Sequence, residues 1–115
     1  MNTRVKTILE HMLEDANDAI SFADEIGSLE NFARDAKTRK AVIMSLLNIG
    51  ELANHLPSEF TQNYDKLPWR DMVGMRNLAA HGYHVMNIDI VWGTVKNSLP
   101  PLAEFLAEQL QQTGE

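Results

Sequence analysis

Eight consecutive residues, Arg76-Asn77-Leu78-Ala79-Ala80-His81-Gly82-Tyr83, bring together an always-charged phosphate binder, a group that titrates near neutral pH and a phenol. An arginine fork can hold phosphate oxygens, and an imidazole can move a proton. These are the groups that phosphodiester chemistry without a metal asks for. Gly82 directly after His81 reads as a helix stop. His81 is therefore expected on the last turn of a helix, near its negative end, with Tyr83 just beyond. Spacing by itself is weak evidence, because a surface arginine and a capping histidine five residues apart give the same pattern.

The elements that would position these residues are all helical. Val5, Ile8, Leu9, Met12, Leu13, Ala16, Ala19, Ile20 and Ala23 recur at helical spacing and predict a long first helix ending near Gly27. Ser28 and Glu30 open a short helix carrying Leu29 and Phe32. A third helix is expected from about Asp35 to Leu56, with Val42, Ile43, Leu46, Leu47, Ile49 and Leu52 apolar and Pro57 ending it. Pro68 is suited to start a fourth, with Trp69 next and Gly82 at its close. Asn87 and Asp89 are capping candidates for a fifth, Ile88 to Ser98. Pro100-Pro101 is expected to kink or break it before Leu102–Gln111 continues. No alternating run of strand length, repeat or linker is seen. The reading is one all-α domain over residues 1–115, an antiparallel bundle of about four main helices plus a short extra one.

Composition narrows the function classes. With 115 residues and 44% apolar side chains, the chain is long enough for one core and too apolar for disorder. The absence of cysteine excludes disulfides, thiolate metal sites and cysteine nucleophiles, and suits a reducing cytoplasm. The stretch MNTRVKTILEHMLEDAND has no apolar core of signal-peptide type. No apolar run approaches the roughly 20 residues that span a bilayer. A soluble cytoplasmic protein without membrane contact is expected. There is no Gly-rich phosphate loop, no HExxH and no EF-hand loop. His81 and His84 straddle Gly82 and do not share a helix face, so a zinc pair is not expected. The six methionines read as core filler.

The net charge of −6 argues mildly against nucleic acid, but its distribution does not. Residues 36–84 hold six bases (Lys37, Arg39, Lys40, Lys66, Arg70, Arg76) against four acids, and three of the four histidines, between acidic ends. An RNA-touching surface would lie in this middle third.

Asn48-Ile49-Gly50-Glu51-Leu52-Ala53, Pro68-Trp69-Arg70, Gly74-Met75-Arg76-Asn77, His81-Gly82-Tyr83 and Val91-Trp92 together resemble the HepT-like proteins of the HEPN superfamily. The resemblance covers nearly the whole chain. Ala79-Ala80 are smaller than the bulky apolar pair often found before the histidine. The resemblance implies a dimeric helical bundle and a metal-independent endoribonuclease, the toxin half of a toxin–antitoxin pair. It implies RNA as substrate, with neither DNA nor a cofactor expected. It also implies a partner, a cognate nucleotidyltransferase antitoxin that transfers AMP to the tyrosine after the histidine, here Tyr83.

RNA cleavage without metal needs a base near the 2′-hydroxyl, a proton donor for the leaving oxygen and positive charge on the phosphorane oxygens. His81 and Arg76 are the catalytic candidates. Asn77, four residues before His81, shares its helix face and could orient the imidazole. Arg76 lies about 140° round an ideal helix from His81. That offset favours a composite site, with two copies of the motif facing each other in a homodimer and two histidines serving as acid and base. Glu51, a supporting candidate, is either on a solvated face or paired with a buried arginine. Trp69 and Trp92 read as packing rather than base-stacking residues. A reading from another class is a catalytically silent module that binds a nucleotide or substrate and pairs with a nucleotidyltransferase.

Overall fold

A computed structural model describes residues 2–63, 69, 72, 73, 76 and 87–113. Helix α1 spans Thr3–Ile26. The Asn2 side chain accepts from the Val5 N–H at 2.8 Å to start it. Gly27, at φ 86°, ends it in the left-handed conformation that glycine adopts without steric cost. Ser28 caps α2 (Leu29–Arg34), and Asp35 caps α3 (Ala36–Asn54) by accepting from the Thr38 N–H at 3.0 Å. Helix α4 covers Ser58–Asn63. Trp69, Met72, Val73 and Arg76 are helical and lie at one-face spacing. Asn87 caps α5 (Ile88–Gly93), a π-helical turn follows over Thr94–Ser98, and α6 runs from Leu99 to Thr113. No strand occurs among the described residues. The fold is all-α, as the periodicity predicts.

Helix α1 lies between α3 and α6 and packs against both. Its buried stripe of Val5, Ile8, Leu9, Met12, Ala16, Ala19 and Ala23 meets Val42, Ile43, Leu46, Ile49 and Ala53 of α3 and Leu99, Leu102 and Leu106 of α6 in one core. The alanines let the helices approach closely, and the fully buried leucines supply about 1.5–3 kcal/mol each. Phe32 of α2 rests on Trp92 of α5 at 5.2 Å between ring centres. Phe60, Trp69 and Phe105 form an edge-to-face trio at 6.0–6.5 Å that ties α4 to α6. Both tryptophans are thus engaged in packing.

One element is missing from the sequence expectation. Helix α4 occupies part of the stretch between Pro57 and Pro68, to which no element is assigned. Of its residues Ser-Glu-Phe-Thr-Gln-Asn only Glu59 and Gln62 are good helix formers, and only Phe60 is apolar. The Pro57 carbonyl accepts from the Phe60 and Thr61 N–H groups to start the turn, and Phe60 anchors it through tertiary contact. At Pro100-Pro101, where a kink or break is expected, the helix is not broken. A π turn precedes the prolines, and the Leu99 N–H reaches back to the Thr94 carbonyl. Widening the helix by one residue gives the two pyrrolidine rings room against the carbonyls they would otherwise strike. Lys96, in the π turn, reaches Asp24 of α1 at 3.1 Å and lies 5.7 Å from the Trp92 ring centre, which pins the turn to the end of α1.

One glycine sets the approach of a neighbouring element to α3. A Cβ on Gly50 would collide with the Met72 carbonyl and stand 3.1 Å from the Arg76 Cβ and 3.2 Å from its amide nitrogen. Among the described residues Gly93 has only Asn97 Nδ2 nearby, at 3.9 Å, and its dihedrals are ordinary helical ones. Gly50→Ala is therefore expected to lower stability by about 1–3 kcal/mol through overpacking. Gly93→Ala is expected to raise it by about 0.5–1 kcal/mol through reduced chain entropy. Urea melts of the two variants measure both; equal shifts of the same sign would refute the close approach at Gly50.

Candidate active site

Glu51 stands next to Gly50 on α3, so the close packing that glycine permits brings Arg76 alongside the carboxylate. The Arg76 guanidinium donates from Nη1 to Glu51 Oε2 at 3.1 Å. The other oxygen, Oε1, lies 3.3 Å from Nε2 of His55, the C-cap residue just past α3, four residues on from Glu51. The Glu51 carboxylate is thus shared between an arginine and a histidine. The Arg76 side chain is 32% exposed and that of Glu51 48% exposed, so the arginine is partly sheltered and the carboxylate half open to solvent. Of the two readings of Glu51 left open by the sequence, the structure pairs it with an arginine while leaving it at the surface.

The same carboxylate forms part of a second feature. A cleft of about 370 Å³ between α1 and α3 is lined by His11, Glu14, Asp15, Asn48, Glu51 and Leu52. Two of its carboxylates are pushed in opposite directions. The Arg76 hydrogen bond, outweighing burial and assisted by the charges of Arg76 and His55, holds the Glu51 carboxyl below its usual 4.5. Burial pushes Asp15 above its usual 3.8, aided by the negative charges of Asp18 and Glu14. A hydrogen bond from Asn48 and the charge of His11 only partly oppose this rise. Among the described residues no three His, Asp or Glu side chains converge in a way that could hold a metal ion.

Of the residues singled out from sequence, Arg76 and Glu51 come together. His81, Asn77 and Tyr83 lie outside the described residues. His55 was counted in the sequence only as part of the basic middle third. Its spacing of four residues from Glu51 on a helix was the signal that places it in the cluster.

The model of the family described as Ribonuclease HepT-like matches residues 12–109. The chain belongs to the HepT-like ribonuclease family. A protein of Methanocaldococcus jannaschii named "Putative RNase MJ0127" is 38% identical to it over 96 residues, covering 84% of this chain and 78% of its own. "Putative RNase TTE0752" of Caldanaerobacter subterraneus subsp. tengcongensis is 36% identical over 104 residues, covering 90% of this chain and 92% of its own. "Probable ribonuclease HepT" of Thermococcus cleftensis is 37% identical over 93 residues, covering 78% and 84%. No solved structure matches the chain. No helix among the described residues of this HepT-like chain is long and apolar enough to cross a membrane.

The opposite carboxylate shifts have opposite consequences for stability. A depressed carboxyl stabilises the fold above its unfolded value and loses that contribution as pH falls through its folded value. Glu51→Gln should therefore melt below wild type at about pH 7, the gap closing below about pH 4. A raised carboxyl costs stability when ionised. Asp15→Asn should melt above wild type at about pH 7, the gap shrinking as acid protonates Asp15 in the wild type. Thermal melts across this range check both; a Glu51 effect that does not vary with pH would leave the ion pair without a stabilising role.

Proposed function

We propose that this HepT-like protein is a metal-independent RNA endonuclease, the toxin of a toxin–antitoxin pair, with Arg76 and His81 as its catalytic residues. The observation that carries the reading is Arg76 anchored to Glu51 beside Gly50 in a chain of a ribonuclease family. A guanidinium held by a carboxylate beside a rigid helix is already placed where a phosphate can exchange for that carboxylate.

In the proposed reaction the ribose 2′-oxygen attacks the adjacent phosphorus and the bond to the 5′-oxygen breaks. A 2′,3′-cyclic phosphate and a 5′-hydroxyl result. One imidazole takes the 2′-hydroxyl proton, and a protonated one delivers a proton to the leaving 5′-oxygen. Arg76 stabilises the charge that builds on the phosphorane oxygens. His81 supplies one imidazole and the partner subunit's His81 the other, which makes a homodimer part of the chemistry. Asn77 orients His81, and Glu51 supports Arg76. Residues 1–115 act as a single domain, with no cofactor.

Silencing is assigned to Tyr83. A cognate nucleotidyltransferase would transfer AMP from ATP to the phenol, forming the phenolic O–P bond and releasing pyrophosphate. The added phosphate would compete with RNA for Arg76, and the adenosine would obstruct the site.

His81→Ala should lower RNA cleavage by about 10²–10⁴-fold, the usual worth of a general acid–base group. Arg76→Ala should do so by a comparable factor. Both should keep the helical circular dichroism signal, and wild-type cleavage should survive excess chelator. Loss of cleavage in chelator with return on adding magnesium would contradict the mechanism, and wild-type levels of cleavage in either variant would remove that residue from it.

Tyr83→Phe should keep ribonuclease activity yet resist silencing by the neighbouring nucleotidyltransferase with ATP and magnesium, as read by intact mass and residual cleavage. A Tyr83→Phe protein that is modified and silenced like wild type would exclude the tyrosine as the switch.

A further inference from the structure

The Glu51 carboxylate has two oxygens and gives them to different partners, Oε2 to Arg76 Nη1 at 3.1 Å and Oε1 to His55 Nε2 at 3.3 Å. This division matters because an arginine fork and a carboxylate bind most tightly when both oxygens face the guanidinium. Here one oxygen is held by the imidazole. A proton on Nε2 lets His55 donate to it whether the ring is neutral or charged.

We propose that His55 is a positioning residue for Arg76, acting through Glu51: by holding one carboxylate oxygen it keeps Glu51 from turning both toward the guanidinium, and so sets how firmly Arg76 is held against an incoming phosphate. The proposal rests on the ribonuclease reading for its substrate, but its local part concerns only these three side chains. An RNA phosphate presents two oxygens to the fork and competes with Glu51 for Arg76. A carboxylate bonded through one oxygen yields more readily than one bonded through two. Geometry allows the change. Glu51 lies on the last turn of α3 and His55 caps it four residues on, and their side chains are 48% and 54% exposed, so the carboxylate has room to turn when the imidazole is removed.

The test has two readouts. Binding of a fluorescein-labelled single-stranded RNA is measured in the His81→Ala background, where cleavage is suppressed. Rotation of the Arg76 guanidinium is followed by ¹⁵N NMR without RNA. His55→Ala should weaken RNA binding roughly two- to fivefold, the worth of an exposed ion pair, and should slow guanidinium rotation. His55→Gln, which keeps a side-chain donor, should restore much of both. In a Glu51→Gln background, His55→Ala should change neither, because the proposed path runs through the carboxylate. Unchanged guanidinium rotation in His55→Ala overturns the proposal, as does an RNA effect of the same size with Glu51 replaced. Slowed rotation in a protein that binds no RNA would refute the ribonuclease reading while upholding the coupling.

Discussion

The candidate site depends on how closely Met72 and Arg76 can approach the backbone of α3, and Gly50 is where that approach is decided. A side chain there would meet the Met72 carbonyl and crowd the Arg76 backbone. Because the obstruction would be backbone, no rotamer change could relieve it. Once the elements are at this distance, the next residue along α3 is Glu51, whose carboxylate falls within hydrogen-bonding reach of Arg76. His55 joins one turn later. The steric constraint comes first, and the electrostatic cluster is built on its rim. Behind it, Ile49 and Ala53 are buried in the core with α1, so the backbone that carries Glu51 and His55 is fixed from the opposite side.

The charges around this rim are not equivalent. Glu51 and Asp15 line the same cleft, yet one carboxyl is stabilised as an anion and the other is penalised for being one. The difference is burial and the partner. Burial raises Asp15, with an amide and a histidine charge set against two like charges from Asp18 and Glu14, whereas Glu51 faces a guanidinium and an imidazole. An RNA strand approaching from the α1 side would meet those acids first. Approach from the side of Arg76 and His55 meets a guanidinium and an imidazole flanking a single carboxylate, Glu51. The excess of acids over bases in the whole chain is therefore compatible with a local surface that accepts a phosphate.

Much of this architecture was legible in the residues, and the parts that were not share a cause. The long helices announce themselves through apolar spacing, and their ends through Gly27, Ser28, Asp35 and Asn87, each of which acts as a cap. These signals are local. Helix α4 has no such local signal: Phe60 holds it against Trp69 and against Phe105, 45 residues away. The π turn is unannounced because two prolines in a row say that a helix needs relief, not how it will be relieved. The Glu51–Arg76 pair joins residues 25 positions apart, so sequence could pose it only as one of two alternatives. His55 was visible by its spacing from Glu51 but lacked a reason to be chosen until Arg76 was seen on the other oxygen. For His81, Asn77 and Tyr83 the motif and the family remain the support.

The shared carboxylate also constrains how RNA could be bound. A phosphodiester carries one negative charge, as Glu51 does, so replacing one by the other on Arg76 gains little from charge alone. The exchange must be driven by what the rest of the strand contributes: further phosphates on other cations and release of their counterions. A short or isolated phosphate would leave Glu51 in place. A longer strand spanning several basic groups could displace it. Under the proposed dimer a strand crossing both copies would meet two Arg76 side chains while losing translational freedom once. Glu51 would then act as a threshold that favours extended RNA over small anions, and its strength would depend on how much of the carboxylate His55 retains.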